Sequence, residues 1–199
     1  MSSRLLAGDI PSTTMNEDLE KYLSTSEKLG SIDVMWGEGT MPVKIATYLS
    51  DTMAPERYIS SARSIVFKDN SVLVISQENG HQYIVPGGRL EPGESPLEAL
   101  HREILEETGW TVNDIKHIGF MHFHHLGEKP ADYRYPFPDF IWPIFFSEAV
   151  ECKPEMKIYD EWVHDSRFRD IIEVKQLPLD KHELLLLDEA LKLKNVENV

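Results

Sequence analysis

The chain has 199 residues, of which 34 are Asp or Glu and 20 are Lys or Arg, giving a net charge of −14 at neutral pH. That length holds one hydrophobic core of ordinary size with room for a small appendage, and the charge excludes duplex nucleic acid and acidic membrane surfaces, whose binding needs a basic footprint. The single cysteine, Cys152, allows no intrachain disulfide, reads as a packing position and suits a reducing compartment; with no apolar run approaching a membrane span and no cleavage pattern in the opening MSSRLLAGDIPSTT, the expectation is a soluble, cytoplasmic protein.

Residues 1–57 read as an N-terminal extension and residues 58–199 as the main domain. Within the extension, Asn16 to Leu29 has helical character, with Leu19, Tyr22, Leu23 and Ser26 on one side, while Ile32 to Trp36 and Val43 to Leu49 look extended. Ala62 to Phe67 and Ser71 to Ser76 flank Lys68-Asp69-Asn70 as a hairpin. Gln82 to Val85 then leads through Pro86 into a Gly87-Gly88 turn.

Next comes a helix whose ends are written into the sequence. Ser95, Pro96 and Glu98 supply an N-cap, a first-turn proline and the acid of a capping box. Gly109 supplies the left-handed residue that stops it. Leu97, Leu100, Ile104 and Thr108 share one stripe at about 100° per residue, and Glu103, Glu106 and Glu107 share a flank beside it. Three like charges within one turn repel, and a bound cation would remove that penalty. Carboxylates without His or Cys suit a hard ion such as Mg²⁺ or Mn²⁺, which also accepts substrate phosphates as ligands.

Beyond the helix, Ile115 to His125 is extended, and Phe140 to Phe146 is a strongly apolar strand in which Pro143 points to an edge or a bulge. Leu184 to Leu193 is a C-terminal helix whose leucines must find a groove. This mixture of elements fits an α/β/α sandwich around a mixed β-sheet.

Gly88, Glu94, Arg102, Glu103, Ile104, Glu106, Glu107, Gly109 and Trp110 stand at a spacing that resembles the signature of the Nudix hydrolases: Gly, five residues, Glu, seven residues, then Arg-Glu-apolar-X-Glu-Glu-X-Gly-apolar. Trp110 departs from the usual aliphatic residue and remains apolar. The resemblance implies the same sandwich fold, hydrolysis of a diphosphate linkage with Mg²⁺ (or Mn²⁺) as cofactor, and a small phosphorylated substrate. It places the metal on Glu103, Glu106, Glu107 and the carbonyl of Gly87, with Arg102 orienting the carboxylates and Glu94 tying the loop to the helix. The general base is Glu103 or a later carboxylate, for which Glu148, Asp160, Glu161 and Asp165 all stand late enough.

The substrate lies outside this signature. His122 to His125, Tyr133, Tyr135, Phe137, Phe140 and Trp142 would stack on a nucleobase or, in the blander reading favoured for Phe140 and Trp142, fill the core. His122 and His124 share one side of their strand, and Arg63 and Arg89 are candidates for phosphate contacts. The proline that marks ADP-ribose hydrolases of the family is replaced by His125-Leu126, and the tyrosine of diadenosine polyphosphate hydrolases and a coenzyme A motif are absent. Nucleotide sugars and nucleoside triphosphates therefore stay open. Residues 1–57 lie outside the resemblance and would form a lid, a dimerisation element or extra strands; analogy with ADP-ribose hydrolases favours a homodimer. The alternative reading is a non-catalytic nucleotide-binding or sensor domain, which usually loses signature glutamates. An isoprenoid isomerase is disfavoured because Cys152 stands far from the helix.

Overall fold

The computed structural model describes residues 16–36, 39–129, 131, 133–158 and 165–197. In chain order these form α1 (Glu17–Thr25), β1 (Glu27–Trp36), β2 (Met41–Leu49), β3 (Ser61–Lys68), β4 (Ser71–Ser76), β5 (Gln82–Tyr83), β6 (Gly87–Arg89), α2 (Pro96–Thr108), β7 (Trp110–His125), β8 (Asp139–Cys152), β9 (Asp165–Asp170), α3 (Ile171–Val174) and α4 (Lys181–Glu197). The described strands make one mixed sheet in the order β1-β2-β7-β8-β3-β4-β5, with β6 paired to β3 and β9 to β4. The β3–β8 pair is parallel and its neighbours are antiparallel.

Alternation along the strands divides the core between two faces. On one face, Leu186, Leu187 and Ala190 of α4 pack against Ile65, Phe67, Phe123, Ile144 and Phe146. On the other, α1 sets Leu19 and Tyr22 against Tyr48, Phe120 and Ile141, and α2 sets Leu100 and Ile104 against Ala62, Val66 and Phe145. Helices therefore cover both faces, as the sandwich expectation requires. The leucines of α4 find their groove, and the Lys68-Asp69-Asn70 turn joins β3 to β4, with Phe67 opposite Val72.

Several expectations need correction. The first helix ends at Thr25, not Leu29, because Ser24, Thr25 and Ser26 turn their hydroxyls back onto the carbonyls of Lys21 and Tyr22, and Glu27 then pairs with Leu49. β7 starts at Trp110, five residues before the expected Ile115, and absorbs the extra length in register shifts at Asn113–Lys116 and His117–Gly119. Of the edge or bulge that Pro143 points to, the edge is excluded, since β8 lies between β7 and β3, and the bulge is borne out, since three residues between Ile59 and Arg63 stand against two between Ile141 and Ile144. Ile141 turns its carbonyl toward Ser60 on the β3 side, and alternate residues face the same way. The missing Pro143 N–H thus falls in the gap between the Ile59–Ile141 bridge and the first full pair, Arg63–Ile144. Leu97, assigned to the packed stripe of α2, is exposed, and Ala99 is buried in the first turn instead. Cys152 is exposed at the end of β8, so it is not a packing position.

β1 and β2 add to the sheet through pairing of β2 with β7, from Val43–His125 to Leu49–Gly119. The described part of residues 1–57 thus contributes two extra strands and the helix α1 that packs on the sheet. No helix among the described residues is long and apolar enough to cross a membrane.

Candidate active site

The site is organised by α2, whose start is fixed as its sequence requires. The Ser95 hydroxyl accepts the Glu98 N–H at 3.3 Å, and the Glu98 carboxylate accepts the Ser95 N–H at 2.8 Å, which closes the capping box. Gly109 ends the helix at φ 77° and donates its N–H to the Leu105 carbonyl. Trp110 is accommodated edge-on against Phe168, with the Lys68 ammonium over its ring.

Arg102 is the hub. Its Nε and Nη2 donate to the two oxygens of Glu94 at 2.7 and 2.8 Å, a bidentate grip on the loop before the helix. Nη2 also donates to the Arg89 carbonyl, and Nη1 donates to Glu103 at 2.9 Å and Glu106 at 3.2 Å. Hydrogen bonds from Arg102 and from the Glu91 N–H hold the Glu94 carboxyl down at about 2. Glu103 moves the other way. Burial raises its carboxyl above the ordinary glutamate value despite Arg102, and the Glu106 charge adds to the rise. Glu107 accepts the Gly87 N–H at 2.9 Å, which ties the glycine turn to the helix.

The glycines explain the closeness of this arrangement. A Cβ on Gly88 would come within 2.3 Å of the Glu103 carboxylate, so only glycine leaves that acid its place. Gly87 has φ 128°, and a Cβ there would meet the Ala62 carbonyl oxygen at 2.3 Å.

A hard divalent ion fits this donor set: three carboxylates on one helix flank, no sulfur or imidazole, and a cradle that a Cβ at Gly88 would fill. Among the described residues no three Asp, Glu, His or Cys side chains converge as a ready ligand cluster. Arg102 holds Glu103 and Glu106, and the Gly87 N–H holds Glu107. Metal binding would draw these carboxylates away from protein donors.

The remaining expected residues are spread out. Glu148 accepts Lys194 Nζ from α4 at 2.7 Å, and Asp165 is paired with Arg167 on β9, so both carboxylates are engaged elsewhere. Asp160 and Glu161 lie outside the described residues. The chain leading to them is anchored to α2 by the Ile158 N–H, which donates to the Glu106 carbonyl at 2.7 Å. Arg63 lies over the Trp142 ring at 4.4 Å, and Arg89 lies over Tyr135 at the same distance. Phe140 is core, stacked on Phe123, while Trp142 is only partly buried. His122 and His124 share a face and both donate to one oxygen of buried Asp139, at 2.7 and 2.8 Å. Asp139 and buried Glu183 had no signal in the sequence, because each meets its partners only through the fold.

With this geometry in place, the chain belongs to the NUDIX family: the NUDIX domain model matches residues 58–191. It is 31% identical to Nudix hydrolase 18, mitochondrial, of Arabidopsis thaliana over 117 residues, covering 58% of this chain and 64% of that protein. It is also 31% identical to the ADP-ribose pyrophosphatase of Methanocaldococcus jannaschii over 127 residues, covering 62% of this chain and 68% of that one. The NUDIX domain of Shewanella oneidensis NrtR, solved with ADP ribose, superposes with a TM-score of 0.50 at 19% identity, covering 72% of this chain and 92% of that domain, and this shows the shared fold. The matches span from 36% to 69% of the length of the curated relatives. Members of the family generally use divalent metal ions and bind phosphorylated small molecules.

Proposed function

We propose that this chain is a Mg²⁺-dependent pyrophosphohydrolase, with Mn²⁺ as a substitute, that cleaves a diphosphate linkage in a nucleoside diphosphate joined to another moiety. The observation that carries this reading is the Arg102 hub, which gathers Glu94, Glu103 and Glu106 at one end of the glycine turn with every acidic position of the signature intact. A non-catalytic domain has no need to keep partly buried, mutually repelling carboxylates together.

Glu103, Glu106, Glu107 and the Gly87 carbonyl would hold the metal, which when bound supplies charge neutralisation for the diphosphate oxygens and lowers the pKa of bound water. Arg102 orients Glu103 and Glu106, and its grip on Glu94 keeps the loop against the helix. Glu103, whose proton affinity is raised by burial, is the signature carboxylate best suited to take a proton from the attacking water. Arg63 and Arg89, each backed by an aromatic ring, offer guanidinium groups to phosphate.

ADP-ribose heads the substrate panel, because the archaeal relative is named for its hydrolysis and the Shewanella domain was solved with it. Nucleotide sugars, dinucleoside polyphosphates and nucleoside triphosphates complete it, assayed for phosphate with and without Mg²⁺ and with a coupled phosphatase. Metal-dependent turnover of one class is expected, with Glu106→Gln lowering kcat by at least about a hundredfold while the fold is kept. Nucleotide binding without turnover across the panel would replace this reading with a sensor domain. A cytoplasmic location, a homodimer formed through residues 1–57 and the division of the chain at residue 57 belong to the same proposal; sedimentation of the purified chain tests the dimer.

A further inference from the structure

The segment that delivers the glycine turn has no strand partner for its first residues. β5 ends at Tyr83 and β6 begins at Gly87, yet Ile84 is fully buried and Val85 nearly so. Buried backbone groups need partners, and residues 84–86 find one each before Gly87 enters β6. The Ile84 N–H donates to Glu183 Oε1 at 2.7 Å, and the Val85 carbonyl accepts Arg63 Nη1 at 3.0 Å. The Pro86 carbonyl accepts the Ser64 N–H at 3.0 Å, and the Gly87 N–H donates to Glu107.

Two of those partners are charged side chains from outside the signature. Glu183 stands in the first turn of α4, 99 residues from Ile84, and is 4% exposed. Its second oxygen accepts the Asp180 N–H at 3.3 Å. The charged groups acting on it are Asp180, from the start of its own helix, and Arg63, from β3. The Arg63 charge also acts on Glu103, so this guanidinium lies in the field of both acids. Burying a carboxyl this deeply is costly unless it is well bonded, and burial pushes Glu183 up to about 7.

We propose that Glu183 is a positioning residue for the Gly87-Gly88 turn: together with Arg63 it clamps Ile84 and Val85, and so sets where the two glycines stand against Glu103 and Glu107. The bland alternative is that Glu183 only caps α4 through the Asp180 N–H. The two roles separate in amide exchange, because a clamp protects residues 84–88 and a cap protects the first turn of α4. The consequence for turnover rests on the hydrolase reading above; the consequence for the backbone does not.

The test is hydrogen exchange on the full chain, read residue by residue, beside Mg²⁺-supported hydrolysis of ADP-ribose. In the unaltered protein the Ile84 amide is expected to exchange at least about a hundredfold more slowly than a free amide. Glu183→Leu should raise exchange across residues 84–88 by about tenfold or more, leave α2 unchanged, and lower kcat with KM within about twofold. Glu183→Gln keeps an acceptor oxygen for Ile84 and should restore both. Should Glu183→Leu fail to fold, the exchange of Ile84 in the unaltered protein still decides: an unprotected amide there overturns the clamp. So does a Leu variant in which only the first turn of α4 loosens, or one that turns over normally with residues 84–88 mobile. The exchange result stands whether or not ADP-ribose is hydrolysed.

Discussion

Arg102 reaches back eight residues to grip Glu94 with two parallel hydrogen bonds, and the third nitrogen of the same guanidinium spans Glu103 and Glu106. One planar group therefore sets both the loop before the helix and the carboxylates on it. A lysine in its place offers a point charge on a flexible stem and loses the fork.

Arg102→Lys is accordingly expected to keep the fold, lower stability by about 1–2 kcal/mol and lower kcat, a loss that comes from the missing fork because Lys preserves the charge. Thermal unfolding and steady-state kinetics check this together. Wild-type kcat in the Lys variant would show that the fork does not orient the glutamates.

The Glu94 carboxyl lies at about 2 in the folded chain, below its ordinary 4.5. A depressed acid contributes stability that is present above the unfolded value and is lost as pH falls through the folded one. Acid unfolding between about pH 4.5 and 2 should therefore be shallower in Glu94→Gln than in the unaltered protein, although the variant starts from lower stability at pH 7. Parallel acid transitions in the two proteins would contradict the Arg102–Glu94 assignment.

Asp139 carries a second pH signature. Burial alone would raise its carboxyl, but hydrogen bonds from His122 and His124 hold it down at about 2, and Asp139 in turn raises His124. A raised histidine contributes stability fully present below its unfolded value, 6.5, and lost as pH rises through the folded one. Asp139→Asn should thus cost more at pH 5.5 than at pH 9, and the His124 ring should titrate at lower pH in the variant by NMR. An unmoved His124 titration would show that the pair is not coupled.

Glu183 runs in the opposite sense to Glu94. Its carboxyl rises from 4.5 to about 7 on burial, so between those values the folded chain binds more protons than the unfolded one and stability falls as pH rises. The loss approaches about 3 kcal/mol at the upper limit. Glu183→Gln cannot ionise, and its stability should decline less from pH 5 to 8 than that of the unaltered protein, keeping only the slope that the histidines contribute. Denaturant unfolding at three pH values measures the difference directly.

Which of these residues the sequence exposes follows from how far apart the partners are. The α2 helix is legible to the residue because Ser95, Pro96, Glu98 and Gly109 act on neighbours within one turn, and the glutamate flank follows from the period. The hairpin at Lys68-Asp69-Asn70 is legible for the same reason. Glu183 and Ile84 are 99 residues apart, and an acid in the first turn of a leucine-rich helix looks like any other favourable cap. Asp139 meets His122 and His124 only because β7 and β8 pair in one register. Pro143 leaves an edge and a bulge open for a related cause: the irregular ladder that accommodates it is made with β3, a strand nearly eighty residues earlier.

The two glycines of the turn give the sharpest separation of fold from site. Gly88 has a backbone that other residues adopt, and the atoms its Cβ would meet are the far end of the flexible Glu103 side chain. Gly87 combines φ 128° with a Cβ aimed at the Ala62 backbone, which cannot give way without moving β3. Gly88→Ala should therefore displace the Glu103 carboxylate, lower kcat by about tenfold or more and change stability by less than about 1 kcal/mol. Gly87→Ala should cost several times that stability, on the order of 2–4 kcal/mol, through strain and steric conflict in the sheet. Equal losses of stability in the two variants would mean that Gly88 serves the fold, and that the close approach to Glu103 is incidental to the chemistry.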